Sequence, residues 1–205
     1  WKSFWPTFLQ KGGGRRRQMN NYTNKKVLVT GAGGFIGRFL TEALLDSGAQ
    51  VSAFVWQGAK EDNALSRDLP PDKLEKVTLH YGDLKDRESL LDIMDGMEVV
   101  FHLAAINSVP YSLQHPEEVI GNNVTGVLNL LFAARAGGAG RVIVTSSAGV
   151  YGSSGGSPIG EKHRTVPASP YAASKLAGEE IALGFFHSYG LPVVIARPSN
   201  TFGPY

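Results

Sequence analysis

Tyr171 and Lys175, in the run Ser169-Pro170-Tyr171-Ala172-Ala173-Ser174-Lys175, put a phenol and an ammonium four residues apart, on one face of a helix. A free tyrosine titrates near ~10, and a fixed positive charge beside it favours the phenolate, so the pair has the makings of a general base. A tyrosine and a lysine at this separation also occur by chance on many solvated helices. A hydroxyl that could act beside them lies in Ser146-Ser147-Ala148-Gly149-Val150-Tyr151-Gly152. Ser147 can hydrogen-bond a substrate hydroxyl or carbonyl oxygen, and a strand-end serine there can equally cap local backbone; Ser146 is its nearest rival.

A second motif stands near the other end of the chain. Lys26-Val27-Leu28-Val29-Thr30 is a short β-branched run, Gly31-Ala32-Gly33-Gly34-Phe35-Ile36-Gly37 follows it, and Arg38-Phe39-Leu40-Thr41-Glu42-Ala43-Leu44-Leu45 carries apolar residues at helical spacing. Strand, glycine turn and helix form the context of a dinucleotide fingerprint. Gly31 permits the tight turn, Gly34 lets backbone amides approach a pyrophosphate at the helix N-terminus, and Gly37 lets the helix pack closely on the strand. An ordinary glycine-rich loop between strand and helix would share the pattern.

The elements that must position these groups alternate. Strands are expected near 26–30, 51–55, 76–80, 98–103, 141–146 and 192–197, and helices near 34–47, 86–95, 116–137 and 170–189. Strands alternating with helices predict an α/β fold, a doubly wound parallel sheet covered on both faces. Right-handed crossovers bring the loops after the first, fourth and fifth strands to one edge, where ligands sit in such folds.

Twenty Lys and Arg against eighteen Asp and Glu give the 205-residue chain a charge of +2, but the excess is local. Residues 1–26 hold seven of the cations and no acid, leaving thirteen against eighteen, a charge of −5, on the rest. The folded part is therefore acidic and is not expected to bind nucleic acid. Residues 1–25 read as a disordered basic leader, with no apolar run long enough for a signal peptide or a membrane span. Met19 is expected to be the natural start, residues 1–18 being upstream translated or added sequence; an organelle presequence is the other reading. There is no cysteine, so no disulfide framework and no thiolate metal site. The five histidines show no ligand spacing, and no metal is expected.

With the glycines spaced as GxxGxxG and Tyr-x-x-x-Lys downstream, residues 26–205 resemble the extended branch of the short-chain dehydrogenase/reductase superfamily, the NAD-dependent epimerase/dehydratase family. Further similar motifs fall in order: Gly82-Asp83-Leu84, His102-Leu103-Ala104-Ala105, Asn122-Asn123-Val124, the Ser146–Gly152 run, and Arg197-Pro198-Ser199-Asn200-Thr201-Phe202-Gly203-Pro204. The resemblance implies a Rossmann domain whose catalytic residues are Ser147, Tyr171 and Lys175, Ser147 being preferred because the family signature sets its hydroxyl three residues before Val-Tyr-Gly. It implies a cofactor site of Gly31, Gly34, Phe35, Ile36, Gly37, Trp56, Asp83, Leu84, Leu103, Ala104, Ala105, Asn122, Tyr171, Lys175 and Pro198, and substrate contacts at Asn107, Ser147 and Asn200. Trp56 stacks near the adenine or is simply packed, and Asp83 is an adenine contact or an ordinary turn residue.

Family dehydratases usually have Thr-Asp-Glu where this chain has Ser147-Ala148-Gly149, because elimination of water needs its own acid and base. The pattern here is more similar to the UDP-glucose 4-epimerase group, which implies a nucleotide-sugar epimerase working by transient C4 oxidation and re-reduction through bound NAD. A 4,6-dehydratase or 4-ketoreductase is the alternative within the family, and a non-catalytic dinucleotide-binding sensor or scaffold the alternative outside it. The carboxylate expected at the end of the second strand is missing from Ala53-Phe54-Val55-Trp56-Gln57, and Lys60 or Arg67 could serve a 2′-phosphate, so NADP stays open beside NAD. The resemblance also implies a cytoplasmic homodimer through helices 116–137 and 170–189, no membrane partner, and a smaller C-terminal substrate domain beyond residue 205. A chain without that domain is expected to bind dinucleotide and turn over poorly.

Overall fold

The computed structural model describes residues 22–153 and 155–203. The expectations for residues 1–21, Met19 included, and for Pro204 and Tyr205 lie outside the described residues. In chain order the elements are β1 (Lys26–Thr30), α1 (Phe35–Asp46), β2 (Gln50–Trp56), a 3₁₀ turn (Gln57–Ala59), α2 (Ala64–Asp68), α3 (Pro71–Leu74) and β3 (Val77–Gly82). Then come α4 (Arg87–Met94), β4 (Val99–His102), α5 (Val109–Gln114), α6 (Pro116–Ala136), β5 (Arg141–Thr145), a second 3₁₀ turn (Ala148–Tyr151), α7 (Pro170–Tyr189) and β6 (Val193–Ala196). The chain is already folded at Tyr22–Lys25, which the sequence assigned to the leader. There the Asn24 N–H donates to the Gly48 carbonyl at 2.8 Å, and the Tyr22 ring lies 6.1 Å from that of Phe101.

The strands form the parallel sheet that the alternation of strands and helices predicted, and its order is β3-β2-β1-β4-β5-β6. Period-2 side-chain direction sorts their apolar residues between two cores. Leu28, Val100, Val142 and Val144 face α4, α6 and α7, where Leu90, Met94, Leu130, Leu131 and Ala182 meet them. Val27, Val29, Val99, Phe101 and Ile143 face the other way; toward β1 and β2 this side is covered by Leu40 and Leu44 of α1 and Leu65 of α2. Burial on both faces is why the central strands β1, β4 and β5 read as unbroken apolar runs.

Strand order reverses between β1 and β4, so the crevice of the doubly wound sheet opens at their carboxyl ends. Local chemistry fixes where the helices around it begin. Ser169 caps α7, its Oγ accepting the Ala172 N–H at 3.1 Å with Pro170 at the first helical position. Asp86 caps α4 through the N–H groups of Glu88 and Ser89. The short helices α2, α3 and α5 and both 3₁₀ turns were not foreseen: each is too short to show a period, and tertiary contacts hold them.

Candidate active site

The turn after β1 closes through the Gly34 N–H, which donates to the Gly31 carbonyl at 3.0 Å. Gly31 has φ +71°, and a Cβ there would lie 2.7 Å from the Ala104 backbone nitrogen, so only glycine lets the β4 loop come so close. A Cβ on Gly37 would stand 2.1 Å from the Gly31 oxygen, which sets how tightly α1 seats on the turn. Gly34 caps α1 without any side-chain hydrogen bond, and no acid sits in the first turn, so the leading amides of α1 are left for an anion. The segment after β2 folds back over this turn. Ala64 N–H donates to the Gly33 carbonyl at 3.0 Å, and buried Asn63 holds the segment by accepting the Ser66 N–H at 2.9 Å and donating to Ala59 at 3.1 Å.

The ends of β1 and β4 are joined by side chains. Thr30 Oγ1 and His102 Nδ1 are 2.8 Å apart, and Thr30 Oγ1 accepts the Ala104 N–H at 3.3 Å. His102 is fully buried; desolvation, with the positive charge of Lys175 as a second cause, pushes its pKa down to about 3, so the ring is neutral.

On α7, Tyr171, Lys175 and Glu179 occupy successive turns of one face. Lys175 is buried, and desolvation lowers its pKa to about 8, opposed by the negative charge of Glu179. Ser147 caps the short turn 148–151, its Oγ accepting the Gly149 N–H at 3.1 Å, and it stays partly exposed to the crevice. Ser146 is buried and donates its hydroxyl to Glu179.

One cavity of about 1070 Å³ runs along the carboxyl edge of the sheet. Every residue expected at the site lines it: Gly31, Gly34, Phe35, Ile36, Gly37, Trp56, Asp83, Leu84, Leu103, Ala104, Ala105, Asn107, Asn122, Ser147, Tyr171, Lys175, Pro198 and Asn200. Its volume and the open amides of α1 fit a dinucleotide. Trp56 is 62% exposed, and its ring covers Gly58 so closely that a Cβ there would meet it at 2.3 Å. Asp83 uses one carboxylate oxygen on the Lys85 N–H at 2.8 Å, so it serves the turn while also lining the cavity. Asn122 faces the cavity, while its neighbour Asn123 is buried, clamping both backbone groups of Ile106 and the Ser174 hydroxyl. Asn63, the Thr30 and His102 pair, and Glu179 escaped the sequence reading. Among the described residues no group of His, Asp and Glu is arranged to hold a metal ion, and no helix is long and apolar enough to cross a membrane.

A doubly wound sheet with this glycine turn and this Ser, Tyr and Lys set has the form of an extended short-chain dehydrogenase/reductase. The family model described as GDP-mannose 4,6 dehydratase matches residues 28–205, and the chain belongs to that family. It is 40% identical over 185 residues to UDP-glucuronate 4-epimerase 6 of Arabidopsis thaliana, covering 87% of this chain and 40% of that protein. Among solved structures, it is similar to a UDP-N-acetylglucosamine 4-epimerase from Methanobrevibacter ruminantium in complex with UDP-N-acetylmuramic acid (TM-score 0.81, 36% identity, 89% of this chain, 57% of that one). It is also similar to a dTDP-glucose 4,6-dehydratase from Streptomyces venezuelae with NAD bound (TM-score 0.79, 31% identity, 88% and 57%). The chain thus spans about half the length of the proteins it matches.

Proposed function

We propose that the chain is the dinucleotide-binding half of a nucleotide-sugar C4-epimerase that uses NAD. The observation that carries the choice of reaction is the cavity wall after Ser147, where Ala148 and Gly149 offer no carboxylate. Among the described residues the carboxylates lining the cavity are Asp83, engaged by the Lys85 N–H, and Glu118, which accepts the Tyr111 hydroxyl at 2.6 Å. Elimination of water from C5 and C6 would need an acid and base of its own; inversion at C4 needs only a group that removes and returns one hydroxyl proton.

Bound NAD supplies hydride acceptance from C4 and hydride return to its opposite face. Tyr171 takes and restores the C4 hydroxyl proton, Ser147 hydrogen-bonds the same oxygen, and Lys175 holds the ribose. The α1 amides bind the pyrophosphate, Asp83 and Trp56 border the adenosine, and Asn107, Asn122 and Asn200 lie along the nucleotide and sugar. The bound NAD in the dehydratase neighbour and the UDP-sugar named for the epimerase neighbour support these assignments. A 4,6-dehydratase is the second reading, favoured by the description of the family model and by that same neighbour. We also assign a homodimer to α6 and α7, which pack together and carry the exposed Leu128, Phe132, Phe186 and Tyr189.

The test incubates UDP-glucuronate, UDP-glucose and dTDP-glucose with the protein and NAD and follows the anomeric and C6 protons by NMR. A C4 epimer is the expected product; a 4-keto-6-deoxy sugar would replace the assignment with a dehydratase. Turnover that survives Tyr171→Phe would remove Tyr171 from the chemistry, and binding of NADH without any turnover in the longest form of the protein would favour a sensor or scaffold.

A further inference from the structure

Glu179 is the one buried carboxylate among the described residues, and the proposed reaction does not use it. It accepts the Ser146 hydroxyl and both Nε, at 2.8 Å, and Nη2 of Arg197. Arg197 spends its remaining Nη1 on the Tyr151 hydroxyl at 2.8 Å. Each member adjoins the cavity wall: Ser146 precedes Ser147, Tyr151 ends the turn that Ser147 caps, Arg197 precedes Pro198, and Glu179 lies one helical turn past Lys175. A buried ion pair is seldom the stablest filling for its space, because desolvation offsets most of its attraction. Its place among four cavity-bearing segments asks for another role.

We propose that Glu179 is a positioning residue: it ties the ends of β5 and β6 to α7 through Ser146 and Arg197, and its buried negative charge keeps Lys175 as the ammonium that holds the dinucleotide ribose. The second half rests on the dinucleotide reading above. The charged and titratable groups around Lys175 leave this task to Glu179. On β4, His102 is neutral; after β6, Arg197 is a cation; Tyr171 on α7 and Tyr151 on the 3₁₀ turn bring hydroxyls; α6 presents Asn122 and Asn123, with Glu118 at the cavity surface bonded to Tyr111.

The experiment follows the titration of Lys175 by competitive amine labelling across pH 6–11, read by mass spectrometry on the dinucleotide-free chain, alongside NADH affinity over the same range. Two variants are compared with the parent: Glu179→Gln, and the charge-free pair Glu179→Gln/Arg197→Gln, which keeps hydrogen-bonding groups at both positions should the single variant unfold. In folded Glu179→Gln the Lys175 midpoint is expected to fall by about one pH unit or more, since the opposite charge is gone, and in the folded pair by a smaller amount, because the like charge of Arg197 goes with it. The alkaline loss of NADH affinity should move down with it. A folded variant whose Lys175 titrates where the parent's does overturns the proposal. If the parent binds no NADH at any pH, the dinucleotide reading fails, and the labelling midpoints still decide the part played by Glu179.

Discussion

Gly37→Ala adds one methyl group at the point where α1 meets the glycine turn. Its Cβ would stand 2.1 Å from the Gly31 oxygen, 2.7 Å from Ala32 Cα and 2.8 Å from the Gly31 carbonyl carbon. All three are backbone atoms, so no side-chain rotation relieves the clash. Ordinary contact begins near 3.4 Å, and the first turn of α1 must therefore retreat from the glycine loop by about 1 Å. Overpacking of this kind costs about 1–3 kcal/mol, and at roughly 2–4 °C per kcal/mol for a domain of this size the melting temperature should drop by about 2–12 °C. Affinity should suffer more than stability. Amides displaced by ~1 Å from a pyrophosphate lose one or two charge-assisted hydrogen bonds at about 1.5–3 kcal/mol each, a loss of about tenfold to ten-thousandfold in NADH binding. Gly184→Ala is the internal control: nothing lies within 4 Å of its added Cβ in the interior of α7, so it should stabilise by up to about 1 kcal/mol and leave NADH affinity alone. Circular-dichroism melts and fluorescence titration with NADH measure both quantities. A Gly37→Ala chain that melts within 1 °C of the parent refutes the packing argument, and one that is destabilised yet binds NADH as tightly as the parent refutes the placement of the pyrophosphate.

Acidification should expose the neutral His102: between pH 6.5 and about 3 the unfolded chain holds a proton on this ring that the folded chain refuses, so stability falls as pH drops through that window, by about 2 kcal/mol at pH 5. Urea unfolding at pH 5 and 7 checks this, and His102→Gln should flatten that part of the dependence. Lys175 has a folded pKa of about 8 against an ordinary 10.5, so at neutral pH its charge is buried at full cost, and the cost is relieved as pH rises from 8 toward 10.5. Lys175→Met should therefore stabilise the chain at pH 7, by up to about 3 kcal/mol, while weakening NADH binding; destabilisation at that pH would count against the buried ammonium. Buried Asn129 donates to the carbonyls of Leu84 and Lys85 and accepts from Arg87, which holds the loop that carries Asp83. Asn129→Leu should cost about 1–3 kcal/mol and loosen NADH binding, and an unchanged urea midpoint would contradict it.

What the sequence made legible, and what it hid, divides by the range of the interaction. The central strands are written as local apolar runs and the four long helices in local periodicity, and Gly37 and the Tyr171 and Lys175 spacing owe their meaning to neighbours within a few residues. The shared edge of the loops after the first, fourth and fifth strands could be foreseen because crossovers of known hand leave few arrangements. The groups that tune the site are long-range pairs: Thr30 meets His102 across 72 positions, and Ser146 meets Glu179 across 33. Asn63 reads as one more polar loop residue until the loop folds back on Gly33. Glu179 left a faint trace. It falls on the same helical stripe as Ala172, Lys175, Gly178 and Ala182, all buried, and an acid on an apolar stripe must find a buried partner or give up its charge. The sequence contains a cation suited to that demand, Arg197, at the end of a strand and immediately before Pro198. The demand was readable from α7 alone; its answer needed β5 and β6 laid side by side, which is what the parallel sheet provides.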